Sequence, residues 1–378
     1  MDDATWTIEN PDGRRRVIVT KALPGRQWID TLIAADCRVE ICRGTAILGA
    51  ETIRSAIGDR CDGAIGQLTE PWNGTLFDAL AAAGGKAYSN YAVGYNNVDL
   101  HAATRAGIPV GNTPGVLTET TAEMAVALTF AAARRLGEAE RFLRAGSDTG
   151  WLPDLFLGDL LQGRTLGIIG AGRIGSAFAR MMVQGHAMSL IYHDLKDKPD
   201  LASFVADFSR VRVSQGLPPL FCRRAADMED LLEAADCVSI HTILDDTTRH
   251  LIDARRLALM KPDAVLVNTS RGPVIDEAAL VAHCRRHPRF RAGLDVFENE
   301  PALAPGLMQL DNVVIVPHIA SATRWTREGM ARLAACNVAG ILSGYPLWRD
   351  ADVLPFLDDE PPKAVPSIVN ARSLGLLP

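Results

Sequence analysis

The sequence predicts an α/β protein of two doubly wound parallel-sheet domains with an interdomain cleft, on three observations. Its 378 residues exceed what one compact core commonly holds. Short β-branched runs alternate with longer helical stretches along nearly the whole chain, which is the pattern of βαβ units. Hydrophobic residues make up 48% and charged residues 22%, an ordinary globular balance with enough apolar mass to cover both faces of such sheets.

The first series of strands reads Val17-Ile18-Val19, Arg38-Val39-Glu40-Ile41, Gly63-Ala64-Ile65, a strand near Lys86 to Ser89, and Ile108-Pro109-Val110. Residues 118 to 145 then read as a first crossing helix, because Thr120-x-x-Glu123 resembles a capping box and Ala125, Ala127 and Ala131 to Ala133 favour helix. A second series of six strands follows: Thr165 to Ile169, Leu190 to Tyr192, Cys237 to Ile240, Val265 to Val267, Ala292 to Leu294 and Val313 to Val316. Residues 196 to 224 read as a polar insertion within it. The return crossing is expected in a helix after Trp325, and the proline-rich segment from Pro346 to Pro366 has no fold of its own. The expected domains are therefore 1–118 plus 325–378, discontinuous, and 119–324. No repeat of solenoid period is present.

A net charge of -6 gives no general reason to bind a phosphate backbone or an anionic membrane surface. Neither nucleic acid nor membrane is expected as a partner. The cysteines at 37, 42, 61, 222, 237, 284 and 336 form no CxxC pair, and an odd number cannot close into intramolecular disulfides alone. That reads as a reducing setting. The acidic start Met1-Asp2-Asp3 lacks an apolar core, no run of about 18 apolar residues occurs, and Gly375-Leu376-Leu377-Pro378 is not an SKL-type address. The expectation is a cytoplasmic protein, and no metal site is expected.

Gly170-Ala171-Gly172-Arg173-Ile174-Gly175 matches GxGxxG, a weak signal alone. Here it follows a clear strand, opens a helix, and is followed 22 residues after Gly172 by Asp194 at the end of the next strand. Such glycines permit a tight turn and close approach of backbone N–H groups to a pyrophosphate. Asp194 can accept hydrogen bonds from a ribose diol and would repel a 2′-phosphate, so NAD is expected over NADP. A ligand-free βα turn and a solvated strand-end carboxylate are the bland alternatives.

Asn268-Thr269-Ser270-Arg271-Gly272 lies just past a strand, Asp295 ends the next, Glu300 follows in its loop, and His318 ends the last. In doubly wound sheets the carboxyl edge is where ligands bind. A 2-keto acid needs an anion clamp, which planar Arg271 supplies, and a proton donor for the developing alkoxide, which His318 supplies. Glu300 would orient and charge the imidazole. Singly, these residues also read as a surface cation, a solvated loop charge and a packing imidazole. In the first domain, Tyr91-Ala92-Val93-Gly94-Tyr95-Asn96-Asn97-Val98-Asp99 would expose backbone N–H groups to a carboxylate, or form an ordinary βα turn. Asn112-Thr113-Pro114-Gly115 reads as the turn before the crossing helix.

Taken together, the order AVGYNNVD, NTPG, TAE, GAGRIG, NTSRGPVIDE, GLDVFENEP, PHIAS resembles the D-isomer-specific 2-hydroxyacid dehydrogenase family over nearly the whole chain from about residue 15. Gly66-Gln67-Leu68-Thr69-Glu70, the insertion after Asp194 and the tail Ser367-Ile368-Val369-Asn370 resemble its hydroxypyruvate reductases (glycerate dehydrogenases) of photorespiratory type. The resemblance implies a flavodoxin-like substrate domain and a Rossmann NAD domain. It implies NADH-dependent, reversible reduction of hydroxypyruvate to D-glycerate, with glyoxylate as a second substrate. It implies Arg271 as clamp, His318 as proton donor, Glu300 as its partner, and the backbone at Val93 and Gly94 as carboxylate holders. Gly170, Gly172, Arg173, Ile174, Gly175, Asp194, Thr269 and Asp295 would line the NAD site. By the same analogy, a homodimer pairs through residues 118 to 160, and Trp151 enters the partner subunit's substrate pocket or merely anchors a buried loop. His241-Thr242 departs from the more usual His-Pro, and the peroxisomal tail of plant members is missing. Rival expectations are another family substrate, such as lactate or phosphoglycerate, and a dinucleotide-gated corepressor or scaffold on the same fold.

Overall fold

The computed structural model describes residues 5–377 and divides into two compact units, one formed by the chain up to Leu117 and from Ala322, the other by Thr118–Ser321. Residues 1–4 and Pro378, on which the targeting reading partly rests, lie outside the described residues. No helix among the described residues is long and apolar enough to cross a membrane.

The first unit contains β1 (Trp6–Glu9), β2 (Arg15–Val19), β3 (Cys37–Cys42), β4 (Gly63–Gly66), β5 (Ala87–Asn90) and β6 (Val110–Gly111), in the sheet order β1-β3-β2-β4-β5-β6. From β3 onward this is the 2-1-3-4-5 parallel order of a flavodoxin-like sheet. The sequence reading missed β1, which pairs antiparallel with β3 at the edge. Its four residues expose Ile8 and carry no continuous apolar run. One face of the sheet is covered by the helix Gly74–Ala82, whose Leu76, Phe77 and Leu80 meet Ile18, Ala64 and Tyr88. The rings of Trp72 and Tyr88 lie 4.1 Å apart, and truncating a buried ring such as Phe77 costs about 3–5 kcal/mol. The helix Arg324–Leu342 belongs to this unit and starts at the side-chain cap of Thr323.

The C-terminal segment does have structure of its own. It forms a short 3₁₀ turn at Leu354–Leu357, and Ile368 bridges Gly111 in antiparallel fashion along the outer side of β6.

The second unit contains β7 (Thr165–Ile169), β8 (Ser189–His193), β9 (Cys222–Arg224), β10 (Cys237–Ile240), β11 (Val265–Asn268), β12 (Arg291–Leu294) and β13 (Val313–Ile315), ordered β13-β12-β11-β10-β7-β8-β9 with parallel pairing throughout. The expected six strands are present, and β9 is a seventh. It was hidden because Cys-Arg-Arg is polar, as an edge strand tolerates. The stretch read as a polar insertion is the crossover to that strand, built on the helix Pro199–Ser214.

Alternation across the pleat divides the core of this unit. Val265 and Val267 join one buried cluster with Phe178 and Met182, whereas Leu266 joins Ile240 and Leu294 in the other. The helix Thr118–Ala133 lies on the first of these faces, and it begins at Thr118 rather than with Thr120 as its cap. Gly293 allows the close approach, since a Cβ there would stand 3.0 Å from the Leu128 side chain.

Candidate active site

Strand register brings the expected residues of the second unit to one edge. Ile169 pairs with Ile240, Ile240 with Asn268, Asn268 with Leu294, and Leu294 with Ile315. The loops that follow carry Gly170, Thr269 to Arg271, Asp295 to Glu300, and His318.

In the glycine turn, Gly170 has φ +88, a left-handed value that favours glycine. A Cβ on Gly175 would stand 2.2 Å from the Gly170 carbonyl, so that glycine serves close packing of the helix Arg173–His186 on the strand. Around Gly172 there is open space, and this residue begins the helix without a side-chain cap. Gly172, Arg173, Ser176, Arg180 and Lys198 line a groove there, with Glu119 also on its wall, while Ile174 is half-buried. This fits a bound pyrophosphate.

Asp194 stands at the end of β8, and it is not a bare carboxylate. Lys198 Nζ lies 3.1 Å from its Oδ2, and the Lys196 N–H donates to its Oδ1 at 3.1 Å. Arg224 donates to the Asp194 carbonyl at 2.8 Å. Sequence reasoning missed these cations because they come from the presumed insertion.

Asn268 organises the loop after β11, accepting the Ser270 N–H at 3.0 Å and donating to the Arg271 carbonyl at 2.9 Å. Thr269 Oγ1 is buried without a hydrogen-bond partner among the described residues, as a contact awaiting a bound cofactor would be. Burial pushes the Arg271 pKa below its ordinary value, against the raising effect of the Glu300 charge. Gly272 sits so close to the Phe297 carbonyl that a Cβ would overlap it, which packs the Arg271 loop onto the loop bearing Glu300.

His318 Nδ1 and Glu300 Oε2 are 2.9 Å apart, and Glu300 Oε1 accepts the Phe297 N–H at 2.9 Å. Burial raises the Glu300 pKa. The His318 hydrogen bond and charge, the Phe297 N–H and the Arg271 charge outweigh that and hold it below the usual carboxylate value. With Nδ1 engaged, Nε2 is the ring nitrogen left to face a substrate. His318 takes the left-handed φ of +51. Asp295, fully buried, receives the Ile319 and Ala320 N–H groups on its two carboxylate oxygens at 2.6 and 3.0 Å, so its direct work in the chain is to hold the His318 loop.

This arrangement has a counterpart. Residues 126–320 match the family model described as the NAD binding domain of D-isomer specific 2-hydroxyacid dehydrogenase. The chain belongs to that family. The dehydrogenase is 59% identical to glycerate dehydrogenase of Cucumis sativus over 97% of each chain. It is 58% identical to the peroxisomal glycerate dehydrogenase of Arabidopsis thaliana, over 98% of its own length and 97% of the relative's. Among solved structures, the NADPH-dependent glyoxylate/hydroxypyruvate reductase of Sinorhizobium meliloti, in complex with NADP and malonate, superposes with a TM-score of 0.69 at 30% identity, covering 88% of this chain and 95% of that one. The dehydrogenase is accordingly an NAD-dependent 2-hydroxyacid oxidoreductase.

Of the remaining expected residues, Val93 and Gly94 lie in the first unit and Trp151 in the second. Among the described residues, the N–H groups of Val93 and Gly94 donate no hydrogen bond, while their carbonyls accept from Asn112 Nδ2 at 2.8 Å and Asn90 Nδ2 at 2.9 Å. Sequence reading treated Asn112 only as part of a turn. Trp151 is 84% exposed in the loop after the helix Leu136–Arg144, so the alternative reading of it as a buried anchor is wrong for this chain. No cluster of metal-ligating side chains occurs among the described residues.

Proposed function

We propose that the dehydrogenase reduces hydroxypyruvate to D-glycerate with NADH, reversibly, and glyoxylate to glycolate as a second reaction. The observation that carries the reading is the 2.9 Å contact of His318 with Glu300, beside a desolvated Arg271, at the carboxyl edge of an NAD-binding sheet. The names of the two plant relatives support hydroxypyruvate as substrate, and that of the bacterial reductase supports both keto acids.

When bound, the nicotinamide supplies the hydride that adds to C2. The chain's own residues do the rest. Arg271 holds the substrate by paired N–H donors, which a planar guanidinium provides and an ammonium does not. The N–H groups of Val93 and Gly94 hold the carboxylate. His318 keeps a proton at Nε2 for the carbonyl oxygen, and Glu300, bonded to Nδ1, holds the ring in place for that transfer. In the oxidative direction the same nitrogen receives the hydroxyl proton.

A homodimer through residues 118 to 160 is supported by the exposed Leu143, Trp151, Leu157 and Leu160, an apolar set unusual for free surface. In that dimer Trp151 reaches the partner's substrate pocket. We place the protein in the cytoplasm, in keeping with seven cysteines that are all unpaired. The test is the fall in NADH absorbance on adding hydroxypyruvate, glyoxylate, pyruvate and phosphohydroxypyruvate in turn. Greatest efficiency with hydroxypyruvate is expected. No turnover with any of them would favour a binding or scaffold role.

A further inference from the structure

The tail stretch Ser367–Asn370 is joined to the loop that holds Val93 and Gly94 by a short relay of side-chain hydrogen bonds, all within the first unit. Ser367 Oγ donates to Asn112 Oδ1 at 2.6 Å. Asn112 Nδ2 donates in turn to the Val93 carbonyl at 2.8 Å. The relay's two side-chain members, Ser367 and Asn112, are both fixed by Asn337, fully buried in the helix Arg324–Leu342. Its Oδ1 accepts the Ser367 N–H at 2.9 Å and its Nδ2 donates to the Asn112 carbonyl at 2.9 Å. The next tail residues pair along β6, where Val369 N–H donates to the Val110 carbonyl and Asn370 Oδ1 accepts the Val110 N–H.

The direction of this relay follows from donor chemistry. A carbonyl oxygen can only accept, so Asn112 must turn its nitrogen to Val93 and its oxygen away. The Ser367 hydroxyl is the donor that satisfies that oxygen. In a trans peptide the carbonyl and the following N–H point in opposite directions. Holding the Val93 carbonyl on Asn112 therefore aims the Gly94 N–H the other way.

We infer that Ser367 is a positioning residue for the substrate's carboxylate. Its hydroxyl fixes the Asn112 amide, and the amide fixes the peptide whose N–H receives the carboxylate. The inference rests on the reading that the Val93–Gly94 loop holds that carboxylate. No residue of the tail touches the substrate in this scheme. The tail sets the orientation of a donor that does.

The experiment is steady-state kinetics with hydroxypyruvate, and NADH affinity by fluorescence, for S367A, S367V, S367T and N112A. Removing the hydroxyl in S367A and S367V should raise KM about three- to tenfold, the range of one hydrogen bond, with kcat changed less than twofold and NADH affinity unchanged. S367T keeps the hydroxyl and should remain within about twofold of wild type, and N112A should raise KM at least as much as S367A. If S367A and S367V match wild type while N112A raises KM, the tail's part is refuted and the carboxylate loop stands. If N112A also matches wild type, the loop reading falls too. Equal losses of kcat, KM and NADH affinity in all three Ser367 variants would show a merely structural role and overturn the inference. S367C, near in volume with a much weaker donor, is the substitute should S367A and S367V fail to fold, and a raised KM is again the expected result.

Discussion

Asp295 holds the backbone around His318 on both sides. Its carbonyl accepts the His318 N–H at 2.9 Å, and its carboxylate accepts the next two N–H groups, of Ile319 and Ala320. This clasp stabilises the left-handed backbone at His318, a conformation that non-glycine residues rarely adopt.

Asp295→Asn should therefore disturb His318, although the altered side chain bonds only the two residues that follow the histidine. An amide nitrogen cannot accept the second N–H, so one buried donor is left facing another. A loss of about 1–3 kcal/mol in urea unfolding is expected, with kcat reduced by roughly tenfold or more because the imidazole is misplaced. Wild-type stability and turnover together would show that the clasp does not matter.

Glu300→Gln keeps the shape and removes the anionic acceptor that His318 Nδ1 faces at 2.9 Å. Because Glu300 is held below the ordinary carboxylate value, it is anionic throughout the neutral range. With a neutral amide there, the imidazole loses the partner that orients it, and kcat for hydroxypyruvate reduction should fall by roughly tenfold or more while NADH affinity stays at the wild-type value. Wild-type kcat in the variant would mean that the Glu300 carboxylate is not needed to position His318.

Arg271→Lys replaces a planar two-donor group with a point charge. Efficiency with hydroxypyruvate should fall about ten- to a hundredfold, while NADH affinity stays at the wild-type value. Unchanged KM and kcat would remove Arg271 from the clamp.

Cofactor choice should turn on Asp194 and Lys198 together. Asp194→Ala removes the charge that repels a 2′-phosphate and should shift the NADH/NADPH efficiency ratio towards NADPH by about tenfold, or about 1.4 kcal/mol. Lys198, 3.1 Å from that carboxylate, offsets part of the repulsion. Lys198→Ala should thus widen the preference for NADH, and the opposite change in ratio would overturn this account.

His241 packs against Phe178, with Nε2 2.9 Å from Ser239 Oγ, and burial pushes its pKa down to about 3. An unfolded histidine titrates near ~6.5. Above that value neither state is charged and the residue makes no pH-dependent difference. Between about 6.5 and about 3 the unfolded chain binds a proton that the native one refuses, so stability falls with pH. In His241→Gln this contribution disappears, and the urea midpoint should decline less steeply on acidification than in wild type. Parallel declines would assign the acid sensitivity elsewhere.

What was legible in the sequence was local or topological. Gly170 to Gly175 and Asp194 could be read because strand, turn and helix follow one another within a single βαβ unit, and Arg271, Glu300 and His318 because each closely follows a parallel strand. The strand at Cys222 to Arg224 could not be read, since an edge position removes the apolar run that marks a buried strand. The Lys198 contact arises only when the turn after β8 folds back on Asp194. The orientation of Asn112 depends on Ser367, far away in the chain, which no periodicity reveals.

The tail has a further consequence for solubility. Without Ile368 to Asn370, β6 would end the first sheet with the polar groups of Val110 unpaired, a template on which another chain could add a strand. The residues that follow Ser367 thus close an aggregation-prone border, so a chain clipped just before Ser367 would be prone to self-association as well as to loss of substrate affinity.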